Sequence, residues 1–375
     1  MANLFLGILL LFVLVIAELL YIHFVEKEPI PWREVMFNLN SGHVMTWVCR
    51  GLEIAGFDYV VRHLSLGWVG GWPVAAQWIF TLLAWDLCFY WMHRLHHKYP
   101  LLWAVHVVHH EGEHFSLSLG IRNSWYSSLT SLPFFVPLAV LGVPTEQFVL
   151  IGALHYFVQF YNHNRVVKKS GWLEHVLVTP SHHRVHHASN PEYRDRNCGG
   201  TFAMWDRWFG TFQEERGDIE IRYGVAHRTP SDNPVWANNL PVLRHVLRRP
   251  APRLPTWTRR DPTPLPDPLV ALGGFVLFGV LIDYIATQST RGGAEEFTLF
   301  GILLLGTVAI AGLFEGRRWG SRSWLILAAT LAAFTTWAGR TDAALIALTA
   351  AFLGHALLTT WWTRRPQAEV VGSGV

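Results

Sequence analysis

The sequence predicts an all-α fold, a polytopic membrane helical bundle with a histidine-rich cap, on three observations. Only 15% of the 375 residues are charged, where a soluble chain carries about 25%, and the mean hydropathy is +0.23. Apolar runs recur that approach or reach the roughly 20 residues a helix needs to cross a bilayer. Fourteen of the 20 histidines fall within residues 93–114 and 155–187, seven in each.

The first run is Leu4 to Tyr21, broken only by Glu18. It lacks a basic leading region and a small-x-small cleavage site, so it reads as a retained span. Residues 44–66 are apolar but interrupted by Arg50, Glu53 and Asp58, and fit an interfacial helix and a crossing equally. The second span is Val74 to Trp91. A hairpin follows: Trp125 to Leu141, a turn at Gly142-Val143-Pro144-Thr145 with Thr145 as N-cap, then Glu146 to Tyr161. Residues 163–260 are polar, basic and aromatic. Pro250, Pro252, Pro255, Pro262, Pro264, Pro266 and Pro268 suit an extended linker. Four runs close the chain: Leu269–Thr287, Phe297–Phe314, Trp324–Trp337 and Ala343–Trp362. The expected domains are an N-terminal span and interfacial segment (1–75), a catalytic domain (76–248), a Pro-rich linker (249–268) and a four-span membrane domain (269–375).

Lys/Arg bias orients the spans. Arg94, Lys98 and Arg122 mark residues 93–122, and Arg317, Arg318, Arg322, Arg364 and Arg365 mark later loops, whereas the 142–145 turn has none. One topology satisfies every loop, with both histidine-rich segments on the cytoplasmic side. A net charge of +3 is too small to suggest a nucleic-acid partner, and Cys49, Cys88 and Cys198 are too scattered to form a metal or disulfide framework.

The histidines follow helical spacing. His93 and His97 form an H-x3-H where a span leaves the membrane. His106, His109 and His110 form an H-x2-H-H, as do His183, His186 and His187, and His163 ends the hairpin. Residues three and four apart share a helix face, so the first pair can clamp one metal and each triplet can bridge two. Chance would place such a triplet in a chain of this composition roughly 0.06 times. Nine packed imidazoles with no partner would repel one another or stay unsatisfied, and a metal supplies the partner. Nine are too many for one tetrahedral zinc and suit two metals with open positions. Nitrogen ligation alone accepts zinc, copper, iron or nickel.

These motifs resemble the fatty acid hydroxylase/sterol desaturase superfamily, from about Asp86 to Phe212. Asp86-x3-Tyr90-Trp91-x-His93-Arg94, Trp103-Ala-Val-His106, Thr179-Pro-Ser-His-His-Arg-Val-His-His187 and Trp205-Asp206-x2-Phe209-Gly-Thr-Phe212 are similar to its alkylglycerol monooxygenase branch. The chain differs in having Glu111-Gly112 after the first triplet and Lys98 after the H-x3-H. The resemblance implies a membrane-bound, O2-dependent di-iron monooxygenase acting on a lipid C–H bond, with alkylglycerol ether cleavage as one outcome. The metal ligands it implies are His93, His97, His106, His109, His110, His163, His183, His186 and His187; His96 and His182 fall off the pattern. It also implies a separate electron donor, a reduced pterin such as tetrahydrobiopterin or an electron-transfer protein, since no nucleotide fingerprint or haem-attachment motif occurs.

Carboxylates are expected to orient the imidazoles by accepting their second ring N–H. Asp86, seven residues before His93 on the same helix face, is the first candidate, followed by Glu174, Asp195 and Asn197. Arg94 and Arg184 could bind a lipid phosphate or carboxylate and read first as snorkelling interface residues; Trp103, Trp205 and Trp208 are candidates to line an acyl channel. Two other readings remain open: a sterol, fatty-acyl or carotenoid hydroxylase or desaturase, and a histidine-rich metal transporter. Transporter ligands lie near the bilayer midplane, whereas these lie at span ends.

Overall fold

The structure, a computed structural model, describes residues 2–40, 43–250, 261, 263–287, 291–339 and 342–365. Among them are fourteen α-helices and no strand, the nearest being one isolated bridge between Leu177 and Phe202. The middle of the proline-rich segment, with Pro252, Pro255 and Pro262, lies outside the described residues. Pro268 is already the first turn of a helix, where its missing N–H costs nothing.

The chain opens with α1 (Ala2–Phe24), the short α2 (Trp32–Asn40) and α3 (His43–Leu64). Next come α4 (Val74–Lys98), α5 (Pro100–His110), α6 (Ser127–Leu141) and α7 (Thr145–Asn162). The undecided stretch at 44–66 is thus one 22-residue helix, packed on α6. Of its charges Glu53 is buried, and it is paired: Arg50 meets it at 2.5 Å, and Ser131 of α6 donates to its other oxygen at 2.5 Å. An apolar core fills the space between these helices, with Phe57, Trp85, Phe135 and Phe148 among its members. The α6–α7 turn forms as expected, closed by Gly142 at φ 88°. Thr145 is the first helical residue and not the cap. Its hydroxyl donates to Asp58 on α3 at 2.9 Å, leaving Pro144 in the cap position.

A long irregular stretch holds two short helices, α8 (Pro180–His187) and α9 (Met204–Trp208), before α10 (Pro234–Pro241) and a π-helical turn at Val242–Val246. The C-terminal bundle is α11 (Asp267–Ala286), α12 (Gly293–Phe314), α13 (Arg318–Trp337) and α14 (Ala343–Thr363). Among the described residues, four helices are long and apolar enough to cross a membrane: α4, α11, α12 and α14. The third C-terminal run extends to Arg318, and its polar start keeps α13 below that standard. At 15 residues α6 is short for a full crossing.

The N-terminal helices join the two halves. Glu18 of α1 accepts from the Leu117 and Arg165 amides at 2.5 and 2.7 Å, Glu34 of α2 accepts from the Glu113 and His114 amides, and Arg33 pairs with Asp267 of α11 at 2.9 Å. Glu18, which breaks the first apolar run, is therefore a bracket on the segment that carries the histidines.

Candidate metal centre

Three helices and one helix end bring the histidines together. α4 runs on past its apolar part and presents His93 and His97 from its last turns. Pro100 restarts the chain as α5, with His106, His109 and His110. His163 sits at the C-terminus of α7, and α8, opened by Pro180, carries His183, His186 and His187. Two groups result, each with one nitrogen per residue within 4.8 Å of the others: His93, His97, His106, His110 and His186; and His109, His163, His183 and His187. They adjoin, the His110 and His187 rings lying 4.4 Å apart. Each triplet divides between them. His106 and His110, four apart, face one group while His109 turns to the other; α8 sends His183 and His187 one way and His186 the other.

Hydrogen bonds fix which nitrogen is free. His93 donates its Nδ1–H to the Cys198 carbonyl at 2.9 Å, His109 to Arg122 at 2.7 Å, His163 to Gln159 at 2.7 Å and His186 to Arg196 at 2.9 Å. A neutral imidazole has one N–H, so Nε2 of each carries a bare lone pair. Those lone pairs converge. His109 and His163 face each other Nε2 to Nε2 at 3.3 Å, and neither can donate. His163 Nε2 is also 3.1 Å from His183 and from His187, and His106 Nε2 lies 3.0 Å from His93 and from His110. Protons do not resolve this, because burial pulls the His109 pKa down to about 4 and those of His163, His183, His186 and His187 well below the ordinary imidazole value. His97 Nε2 and His186 Nε2 are buried with no protein partner. Facing lone pairs in a dry interior require a Lewis acid, and an all-imidazole donor set fits a transition ion.

A single loop orients most of the first group. Arg196 and Cys198 supply the carbonyls for His186 and His93, and the Asp195 carboxylate lies 3.6 Å from His97 Nδ1. That imidazole holds the Asp195 carboxyl below its ordinary range. Asp195 and Asn197 both have positive φ, 58° and 51°, a conformation that Asp and Asn tolerate better than other side chains. Asn197 locks the loop: its Oδ1 accepts from the Gln213 amide at 2.8 Å and its Nδ2 donates to the His182 and Gln213 carbonyls. Asp206 accepts from the Cys198 and Gly199 amides and from the Thr211 hydroxyl. On the other side, Arg122 is buried over the Phe37 ring, donates to the Val108 carbonyl and pairs with Glu111 at 3.1 Å. Its own carbonyl is then in place for His109. Glu111, which departs from the superfamily pattern, also accepts from Thr229.

The expected orienting residues therefore separate. Asp195 alone faces a grouped imidazole. Asp86 does not reach His93; its carboxylate accepts from the Thr201 and Phe202 amides and the Trp205 indole, and lies 3.3 Å from His155. Glu174 accepts from Ser170 and Ser181 and steadies the start of α8. Asn197 acts on the backbone. Arg184 is no snorkelling residue: it is buried, binds Glu215 through two nitrogens and donates to the Val167 and Lys168 carbonyls. Arg94 is spent on the Tyr90 hydroxyl and the Phe209 carbonyl. His96 lies outside both groups, its nitrogens bonded to the Met92 carbonyl and Thr130, and His182 packs on Phe212. Trp205 is buried beside Asp86 and Trp208 is exposed, leaving Trp103 alone of the three against the histidines.

Residues 78–211 match the family model of fatty acid hydroxylases. The chain is 32% identical over 222 residues to alkylglycerol monooxygenase of Xenopus tropicalis, covering 58% of this chain and 48% of that protein. It is 38% identical over 181 residues to alkylglycerol monooxygenase of Danio rerio, 48% of this chain and 39% of that one. An ornithine lipid hydroxylase of Rhizobium tropici is 32% identical over 147 residues, 39% of this chain and 44% of the relative. The chain thus spans about half or less of the length of these relatives. No solved structure matches it.

Proposed function

We propose that this chain, which carries a fatty acid hydroxylase domain over residues 78–211, is an integral membrane lipid hydroxylase with two iron ions held by its nine grouped histidines. One observation carries the reading: two adjoining all-imidazole groups with converging, unprotonated Nε2 atoms, set at the end of an apolar helix. Loaded there, the ions supply the reduction of O2 with two electrons and two protons, one oxygen atom going into a lipid C–H bond and the other to water.

The chain's own residues bind, orient and shield. Backbone carbonyls hold four rings by Nδ1 so that Nε2 points inward, and the Asp195 carboxylate lies 3.6 Å from Nδ1 of His97. Phe115 stacks on His163 at 5.7 Å and on Tyr223 at 5.2 Å, closing the second group from water. The basic loops support a centre on the cytoplasmic side, and the reading divides the chain into a catalytic unit at 76–248 and a membrane bundle at 269–375. The electrons come from a separate donor, a reduced pterin or an electron-transfer protein.

Among lipids, an alkylglycerol is the substrate best supported, by the names of the relatives in Xenopus and Danio. Hydroxylation beside the ether oxygen gives a hemiacetal that splits into an aldehyde and glycerol. The ornithine lipid hydroxylase relative supports a second reading, in which the alcohol is stable. The deciding experiment is anaerobic purification, metal analysis and O2 uptake with an alkylglycerol, an ornithine lipid, a sterol and a fatty acid. Two irons per chain with uptake driven by one lipid is the expected result; one zinc and no lipid-dependent uptake would sink the proposal.

A further inference from the structure

All but two of the nine grouped histidines are buried, and those two, His97 and His106, are half-buried. One wall of the first group is aromatic. The Trp103 ring of α5 lies 5.3 Å from His97 and 5.6 Å from His110. On its other side it is 6.4 Å from His245 in the π-helical turn. Both Trp103 and His245 are half-buried. One aromatic side chain therefore separates the first histidine group from the seam between α5 and residues 242–246.

The rim of that seam is apolar and exposed. Tyr99, Leu101 and Leu247 expose 57, 56 and 53% of their surface. Tyr99 follows directly on Lys98, the last residue of the apolar helix α4, so the rim stands where that helix would leave a bilayer. Exposed aliphatic and aromatic side chains at that level suit lipid contact. Lys98 precedes Tyr99 and Arg248 and Arg249 follow Leu247 in the chain, and all three cations are exposed. The turn is π-helical, a rare geometry that gathers at functional sites; Arg248, two residues past its end, has φ 51°, and Arg244 donates to the His227 and Arg228 carbonyls.

We propose that the alkyl or acyl chain of a membrane lipid reaches the metal centre through the seam between α5 and the π-helical turn, displacing the Trp103 ring and then lying against it. The lipid is a chain-bearing amphiphile whose headgroup stays at the Lys98, Arg248 and Arg249 rim. This rests on the reading of the centre as a lipid hydroxylase.

The test is photo-crosslinking of the full chain in lipid nanodiscs, with a palmitic acid and an alkylglycerol that each carry a diazirine in the chain. Peptide mapping should place the label on residues 99–103 and 242–247, and excess unlabelled lipid should remove it. Leu101→Glu and Leu247→Glu, which put charge on the rim, should each raise KM about tenfold with kcat nearly unchanged, and should cut the labelling in parallel. Label confined to other helices, or insensitive to competitor, overturns the seam. So does a Trp103→Phe protein that keeps its labelling and KM but whose metal is reduced more slowly, since Trp103 would then be an electron route. Labelling at the seam with no lipid oxidised would instead overturn the hydroxylase reading and leave the seam standing.

Discussion

The two histidine groups use the same side chain and are held in different ways. The first takes its orientation from one loop, exposed only at Asp195: residues 195–198 meet three of its five imidazoles, through one carboxylate and two carbonyls. The second is wholly buried, and its oriented rings lean on the last turn of α7 and on the buried Arg122. A loop with two residues at positive φ is a local, strained support. A helix end and a buried ion pair share the stability of the core. The groups should therefore differ in how readily they release a metal and in which distant residues they depend on.

Removal of a ligand has the largest effect and tests the grouping. His109→Ala takes one of four nitrogens from the second group and His186→Ala one of five from the first. Each should abolish turnover, with metal content falling toward one ion per chain. His96→Ala removes a ring already bonded to Met92 and Thr130 and should keep most activity and both ions. Equal losses in all three would break the division. With the wild-type protein, a chelator should strip the ions in two phases, the faster from the loop-held group; one phase would mean that the two supports are equivalent.

Asn197 comes next because it touches no imidazole and yet holds the loop. Asn197→Ala places a less tolerant side chain at φ 51° and deletes three hydrogen bonds. Strain of this kind costs about 1–3 kcal/mol. The faster chelation phase should accelerate about tenfold or more while the slower one is unmoved. Asn197→Gly restores the backbone freedom but not the bonds, so its rate should fall between. If both phases change together, the loop supports the whole domain and not one group.

The contrast also explains what could be read from the sequence. The nine histidines were legible because helical spacing puts side chains on one face, and the long spans because run length matches bilayer thickness. The orienting groups were hidden, since Arg122, Gln159, Arg196 and Cys198 act through carbonyls, and every residue has one. Asp86 was misread from sound geometry: it lies on the His93 face of α4, but the 198–205 turn comes between and takes its oxygens. A sign of that turn was present in Gly199-Gly200. A Cβ on Gly200 would stand 1.9 Å from the His155 ring, and one on Gly199 2.5 Å from Asp206. Paired glycines after two αL-tolerant residues mark backbone pressed against buried side chains. The short α2 and the polar start of α13 have no comparable signature, because their faces are defined by neighbours distant in sequence.

The smallest effect expected is at Asp195, and it separates charge from geometry. The carboxylate lies 3.6 Å from His97 Nδ1 and is half exposed, so water shares its field. Asp195→Asn keeps an oxygen acceptor and the tolerance for positive φ, and removes the charge that strengthens His97 as a donor. Carboxylates in this position change metal affinity by about 10–100-fold; solvent exposure puts this one at the lower end. The variant should bind its first-group ion about tenfold more weakly, with the second group unaffected and thermal stability unchanged. Asp195→Gly keeps the backbone and loses both charge and acceptor, and should weaken the ion further. Equal affinities in the two variants would show that the loop carbonyls orient the first group without the acid.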